Sequence, residues 1–188
     1  MSDLRTNTVR GYLAEFLVAR AMGAEATRVE WDSYDVLSPE NIRIEVKATG
    51  YVQAWTQTRP SRNPSWEIRQ TIPIDPATGE YLPEEHRGFQ ADVYVFAVHG
   101  ARTHADYDPL DLAQWSFHVL PRARIEALPR GAKKQALGTL QRVREAADGV
   151  GYEALADEVR ESAATRDRVR TNSAATASPP SLFVRPVG

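Results

Sequence analysis

The sequence predicts a mixed α/β domain, with helices flanking a central sheet. Three observations predict it. Residues 4–22 repeat apolar side chains at the period of a helix, and residues 26–49 change to the two-residue period of strands. Residues 91–98, ADVYVFAV, are apolar enough for a strand buried on both faces. The expected order is helix, three strands, a long excursion, two strands and terminal helices. That is a layered arrangement rather than strict βαβ alternation.

The first helix carries its apolar stripe on Val9, Tyr12, Leu13, Phe16 and Leu17. Ser2, Asp3, Thr6 and Asn7 offer caps, and Gly23 offers a stop. TRVEW (27–31) and SYDVL (33–37) are short strand candidates, and IRIEVKAT (42–49) is the clearest strand in the chain. Between them, Ser38-Pro39 suits the opening of a type I turn. With Pro39, Glu40 and a left-handed Asn41 as a three-residue loop, Ser38 pairs with Ile42 and Val36 with Ile44. Asp35 then stands opposite Glu45.

Residues 57–88 are read as an excursion over one end of the sheet, with one strand near SWEIRQTI (65–72). WSFHVL (115–120) is a strand alternating Trp115, Phe117 and Val119 inward, which leaves His118 on the other side as a packed or solvated strand histidine. Residues 131–147 and 152–164 are read as helices split at Gly149-Val150-Gly151. Residues 171–188, of small residues and proline, are expected to be a mobile tail after a single domain of residues 1–170.

The chain has 188 residues and a net charge of −2, without cysteine. A thiolate metal site, a disulfide framework and a cysteine nucleophile are therefore excluded. No apolar run approaches the ~18 residues of a membrane helix, so the expectation is a soluble, cytoplasmic protein. The modest charge hides a basic stretch. Arg122, Arg124, Arg130, Lys133, Lys134, Arg142 and Arg144 stand against the single acid Glu126 between residues 121 and 144.

The chemistry concentrates on residues 35–47. Alternation along a strand puts Ile42, Ile44, Val46 and Ala48 on one face and Arg43, Glu45 and Lys47 on the other, with Glu45 and Lys47 roughly 6.6 Å apart. Two adjacent carboxylates repel in a merely structural strand pair. They make sense around a divalent cation, and magnesium binds through one or two carboxylates with waters and phosphate oxygens completing its shell. A lysine beside such a site can orient the attacking water and balance charge on a phosphorane.

Asp35, followed after nine residues by Glu45-Val46-Lys47 and preceded by a helix with Glu15, resembles the PD-(D/E)XK nuclease superfamily, the restriction-endonuclease-like fold. Residues 5–125 resemble it in element order, although Tyr34 stands where many members have proline. The resemblance implies a core of N-terminal helix, a β-hairpin carrying D…ExK, a later buried strand and C-terminal helices around a central mixed sheet. It implies that Asp35, Glu45 and the Val46 carbonyl bind Mg2+, with Mn2+ substituting, and that Lys47 is catalytic. Glu15 matches an acid that some branches place near the metal, and Gln53 a glutamine that some carry after the lysine strand. Cleavage would leave a 5′-phosphate and a 3′-hydroxyl.

The expected function is thus a metal-dependent endonuclease acting on DNA, in restriction, defence or repair; RNA or branched DNA keeps the same residues. The alternative is a catalytically silent nuclease-fold module that binds nucleic acid or serves in an assembly. Tyr51, Trp55 and Trp66 interleave with Arg59 and Arg62, a mixture that suits either base stacking and phosphate contact or a core edge with a solvated rim. Arg122, Arg124, Lys133 and Lys134 are further backbone-contact candidates. One site per chain favours a homodimer or a partner specificity subunit. His99, His104, Asp106 and Asp108 read as a polar surface loop. No serine lies in a G-x-S-x-G context, and no glycine-rich phosphate loop is present.

Overall fold

The computed structural model describes residues 5–25, 33–62, 64–128 and 136–175. Thr6 is extended and its hydroxyl accepts the Val9 N–H at 3.3 Å, which opens α1 (Asn7–Met22). Gly23, at φ 65°, ends it in the left-handed conformation, donating back to the Ala19 and Arg20 carbonyls. The strands follow as β1 (Val36–Leu37), β2 (Arg43–Gly50), β3 (Ser65–Ile68), β4 (Val93–His99) and β5 (Trp115–Pro121). After α2 (Arg122–Glu126) come β6 (Ala136–Thr139), α3 (Leu140–Ala146), β7 (Gly149–Val150) and α4 (Leu155–Ala175).

The main sheet runs β1-β2-β4-β5-β7, and β3 pairs with β6 in a second, two-stranded sheet. β2 and β4 are parallel; β1, β5 and β7 join antiparallel. A parallel pair needs a crossover, and residues 51–92 provide it. The mixed α/β sheet flanked by helices is therefore the architecture the periodicity predicts.

Two cores sandwich the sheet. Ile44 and Val46 of β2, with Val93, Val95, Phe117 and Val119, pack against Ala14, Leu17 and Val18 of α1 and Leu155 and Val159 of α4. On the opposite face Tyr94, Phe96, Val98 and Leu120 pack against Trp66, Ile68, Ile125, Leu140 and Val143. Every residue of β4 is buried, as its unbroken apolar run requires. That second face is also the one from which Glu45 and Lys47 project, since Glu45 registers with Tyr94 and Lys47 with Phe96.

The structure corrects several expectations. The excursion does not pass over one end of the sheet. Through β3 and two bridges, Thr71 with Gly88 and Ile74 with Tyr81, it makes a wall beside the Glu45–Lys47 face. Residues 136–139, read as helical, form a strand because β3 needs a partner, and tertiary pairing overrides local propensity. α4 runs through Ala175, beyond the helix read over 152–164. The strand candidate 27–31 and residues 129–135 lie outside the described residues, as do 176–188. His99 is not on the surface: it ends β4, buried between Tyr107 and Trp115, with Nε2 3.1 Å from the Asp108 carbonyl. No helix among the described residues is long and apolar enough to cross a membrane.

His118 is packed under β7, its Nδ1 3.1 Å from the Ala147 carbonyl, and burial pushes its pKa down. A Cβ at Gly149 would lie 2.8 Å from the ring's Cε1. Gly149→Ala is therefore expected to destabilise the fold by about 1–3 kcal/mol, lowering the urea midpoint. Gly11→Ala meets open space in the middle of α1 and is expected to raise that midpoint by about 0.5–1 kcal/mol of stability.

Candidate active site

Local chemistry builds the hairpin. The Ser38 Oγ accepts the N–H groups of Glu40 and Ile42, each at 3.2 Å. The Asn41 N–H donates to the Ser38 carbonyl at 2.9 Å, and the Ser38 N–H to Ile42 at 3.0 Å. Asn41 adopts φ 62°, the left-handed conformation that asparagine tolerates. Val36 then pairs with Ile44, the register expected from the three-residue loop.

Beyond Val36 the ladder ends. The Asp35 N–H donates to the Ile44 carbonyl at 3.0 Å, while its carboxylate Oδ2 accepts the Val46 N–H at 2.7 Å. The aspartate side chain thus takes the acceptor position that a continuing β1 backbone would have filled. A strand residue projects its N–H and C=O toward the same edge, so the Val46 carbonyl faces the edge that carries the Asp35 carboxylate.

Glu45 and Lys47 stand half-buried on the face of Tyr94 and Phe96, and their side chains form an ion pair from Lys47 Nζ to Glu45 Oε1. Burial pulls the Lys47 pKa down, but the charge and hydrogen bond of Glu45 outweigh it, aided by the charges of Asp35 and Glu15. The net position is above the ordinary lysine value, so Lys47 is an ammonium at neutral pH. Burial, and then the Glu45 charge, push the Tyr94 phenol above its ordinary pKa.

Asp35, Glu45 and Lys47 line one cleft of about 380 Å3, together with Tyr34, Arg69, Tyr81, Gln90 and Tyr94. Asp35 also borders a larger opening of about 670 Å3 that contains Glu15, so Glu15 approaches from the α1 side. Among the described residues no three histidine, aspartate or glutamate side chains are grouped to hold a metal ion. The carboxylates in the cleft are those of Asp35 and Glu45; Val46 is not among its lining residues.

Gln53 lies beyond the end of β2 and is buried, with Nε2 donating to the Gly50 carbonyl at 3.1 Å and Oε1 without a hydrogen-bond partner. It lines a second cavity, of about 420 Å3, whose wall includes Lys47, Trp55, Trp66 and Glu67. Of the aromatic–arginine stretch, Trp55, Arg59 and Arg62 are exposed around an adjoining opening. Tyr51 and Trp66 are buried core residues: Arg102 covers the Tyr51 ring at 3.4 Å, and Trp66 packs edge-on to Phe96.

The structure disperses the remaining candidates. Arg122 is committed internally, bonding Asp92 at 3.0 Å and the carbonyls of Ala91 and Gln90 at 2.7 and 3.0 Å. Arg43, on the polar side of β2, clamps the same buried Asp92 at 2.7 and 3.0 Å instead of joining Glu45. Arg124 is exposed and reaches the Ala146 carbonyl at 3.4 Å. Lys133 and Lys134 lie outside the described residues. Sequence reasoning passed over Arg69, Tyr81 and Tyr94 in the cleft. Tyr94 had a signal, since alternation in a doubly buried strand puts one tyrosine beside Glu45; Arg69 and Tyr81 are placed only by the folding of the excursion.

No curated protein matches this chain. Residues 1–125, which span α1, the hairpin, the excursion, β4 and β5, match the model of the bacteriophage T4 endonuclease IV family, and the chain belongs to that endonuclease family.

Proposed function

We propose that the protein is a metal-dependent endonuclease that hydrolyses DNA phosphodiester bonds at the Asp35–Glu45–Lys47 cleft, with the architecture and chemistry of the PD-(D/E)XK superfamily. The observation that carries this reading is the meeting of Asp35, Glu45 and Lys47 on the wall of one open cleft, with Lys47 ion-paired to Glu45. A solvated strand face gives no reason for Asp35 and Glu45 to line one cleft with a half-buried lysine.

The donor set fits magnesium. Asp35, Glu45 and the Val46 carbonyl are all hard oxygen ligands, and Mg2+ keeps several waters when a protein offers only one or two carboxylates. Bound there, Mg2+ or Mn2+ would acidify a coordinated water and offset charge on the phosphoryl group. The protein's own contribution follows from its residues. Asp35 and Glu45 concentrate negative charge, and β2 holds Lys47 one alternation from Glu45, which fixes the spacing of acid and ammonium. Lys47, charged at neutral pH, orients the attacking water and stabilises the developing phosphorane by hydrogen bonding. Trp55, Arg59 and Arg62 give the substrate strand stacking and phosphate contacts beyond Gln53. Cutting both strands of a duplex would call for a second copy or a partner subunit. Restriction, defence or repair is the setting such an activity suits.

The test is cleavage of supercoiled plasmid with Mg2+, with Mn2+ and with EDTA. Nicking or linearisation is expected with either metal, none in EDTA, and recovery when metal is restored in excess. Cutting that persists in EDTA would remove the metal from the mechanism. Failure to cut plasmid, single-stranded DNA or RNA with metal present would leave the catalytically silent module as the better reading.

A further inference from the structure

Lys47 is the residue at which two openings meet: the cleft of Asp35 and Glu45 on one side, the cavity of Gln53 and Trp55 on the other. β3 runs beside both. Its Trp66 and Ile68 are buried while Ser65 and Glu67 face outward, and these two line the Trp55 side. Arg69, the next outward residue, lines the carboxylate side. The chain then doubles back through the Ile74–Tyr81 bridge, which sets Tyr81, 71% exposed, on the wall facing Asp35 and Glu45.

Each opening therefore carries one water-exposed ring; Arg69 shares the carboxylate cleft with Tyr81, and Arg59 and Arg62 line the opening that adjoins Trp55. Trp55, 61% exposed, stands with Arg59 and Arg62 on one side; Tyr81 stands with Arg69 on the other. A nucleic-acid strand with its reacting phosphate at Lys47 extends both ways and presents further phosphates and bases to both. An exposed aromatic ring beside an arginine is what a base and its phosphate need from such a wall.

We propose that Arg69 and Tyr81 are strand-positioning residues: Arg69 pairs with a phosphate next to the reacting one, and Tyr81 stacks on the base beyond it, opposite the Trp55 bracket. The proposal rests on the nuclease reading of the Lys47 cleft. Arg69 is ion-paired to Glu67, but both side chains are largely in water, where such a pair contributes little. The guanidinium can exchange that carboxylate for a bidentate phosphate. Glu67 is then a competitor held within the groove.

The test is fluorescence anisotropy of a fluorescein-labelled DNA oligonucleotide with the full-length protein, in EDTA so that binding is read without cutting. Arg69→Ala and Tyr81→Ala are each expected to weaken binding about tenfold, and Tyr81→Phe to stay close to wild type. Arg69→Ala should also lower the salt slope by about one, the signature of a lost phosphate contact. Glu67→Gln should bind more tightly, a gain that a merely structural role would not produce. Arg87, on the same excursion but bonded to Glu84 and not among the residues lining the cleft, is the control, and Arg87→Ala should bind as wild type. Wild-type affinity in both Arg69→Ala and Tyr81→Ala overturns the proposal, as does failure of the wild type to bind the oligonucleotide. A wild type that binds with this pattern of variants, yet never cuts with metal, sinks the nuclease reading and leaves the wall standing.

Discussion

Lys47→Ala is expected to abolish metal-dependent plasmid cutting while leaving metal binding intact. The lysine is the cation ion-paired to one proposed ligand, Glu45, within the cleft. In the proposed mechanism it orients water and meets the phosphorane's charge, and its removal is expected to cost roughly 10²–10⁴ in rate. That removal also releases Glu45 from its partner. Titration calorimetry with Mn2+ should therefore give an affinity equal to or tighter than that of the wild type. Removing one partner leaves the mostly covered Glu45 carboxylate uncompensated, so the melting temperature is expected to fall. Lys47→Arg keeps the charge but replaces a compact ammonium by a planar fork, and is expected to recover only a small part of the rate. Normal cutting by Lys47→Ala would move the chemistry elsewhere. Weakened Mn2+ binding with normal folding would instead make the lysine part of the metal site's architecture.

What was legible in the sequence is what local chemistry decides. The hairpin follows from Ser38, which can satisfy two N–H groups, and from Asn41, which accepts a left-handed backbone; these two residues settle the register that brings Asp35 to Glu45 and Lys47. β4 was legible because a strand covered on both faces has no polar side to alternate. The β3–β6 sheet was not, because the partner lies some seventy residues away by Cα register, as Ser65 to Thr139, and no short-range signal specifies it. The internal bonding of Arg122 and Arg43 was not legible for a related reason. Asp92 is a single buried acid at the start of an apolar strand, and the cations that neutralise it come from distant segments. For Tyr51 and Trp66 the sequence left core edge and substrate contact both open, and tertiary packing against Arg102 and Phe96 makes them core. The cleft's near wall was readable, since it lies on one hairpin; its far wall, Arg69 and Tyr81, depends on how the excursion folds back.

Asp35 has two tasks that substitution can separate. Its carboxylate accepts the Val46 N–H at 2.7 Å, a structural hydrogen bond that closes the hairpin's open end. It also contributes negative charge to the cleft, felt at Lys47. Asp35→Asn keeps an oxygen acceptor for the Val46 N–H but removes the charge. Asp35→Ala removes both and leaves that N–H without its acceptor, at a cost of about 1–3 kcal/mol. Cutting is expected to collapse in both variants, by more than the roughly 10–100-fold seen when a residue merely supports a metal ligand. Stability should fall appreciably only in Asp35→Ala. Mn2+ binding should weaken in both, and the Lys47 pKa should fall toward its ordinary value as one of the acids that raise it is lost. Wild-type cutting by Asp35→Asn would reduce the aspartate to a backbone acceptor. The metal would then rest on Glu45 and the Val46 carbonyl, with Glu15 a further acid whose charge reaches Lys47.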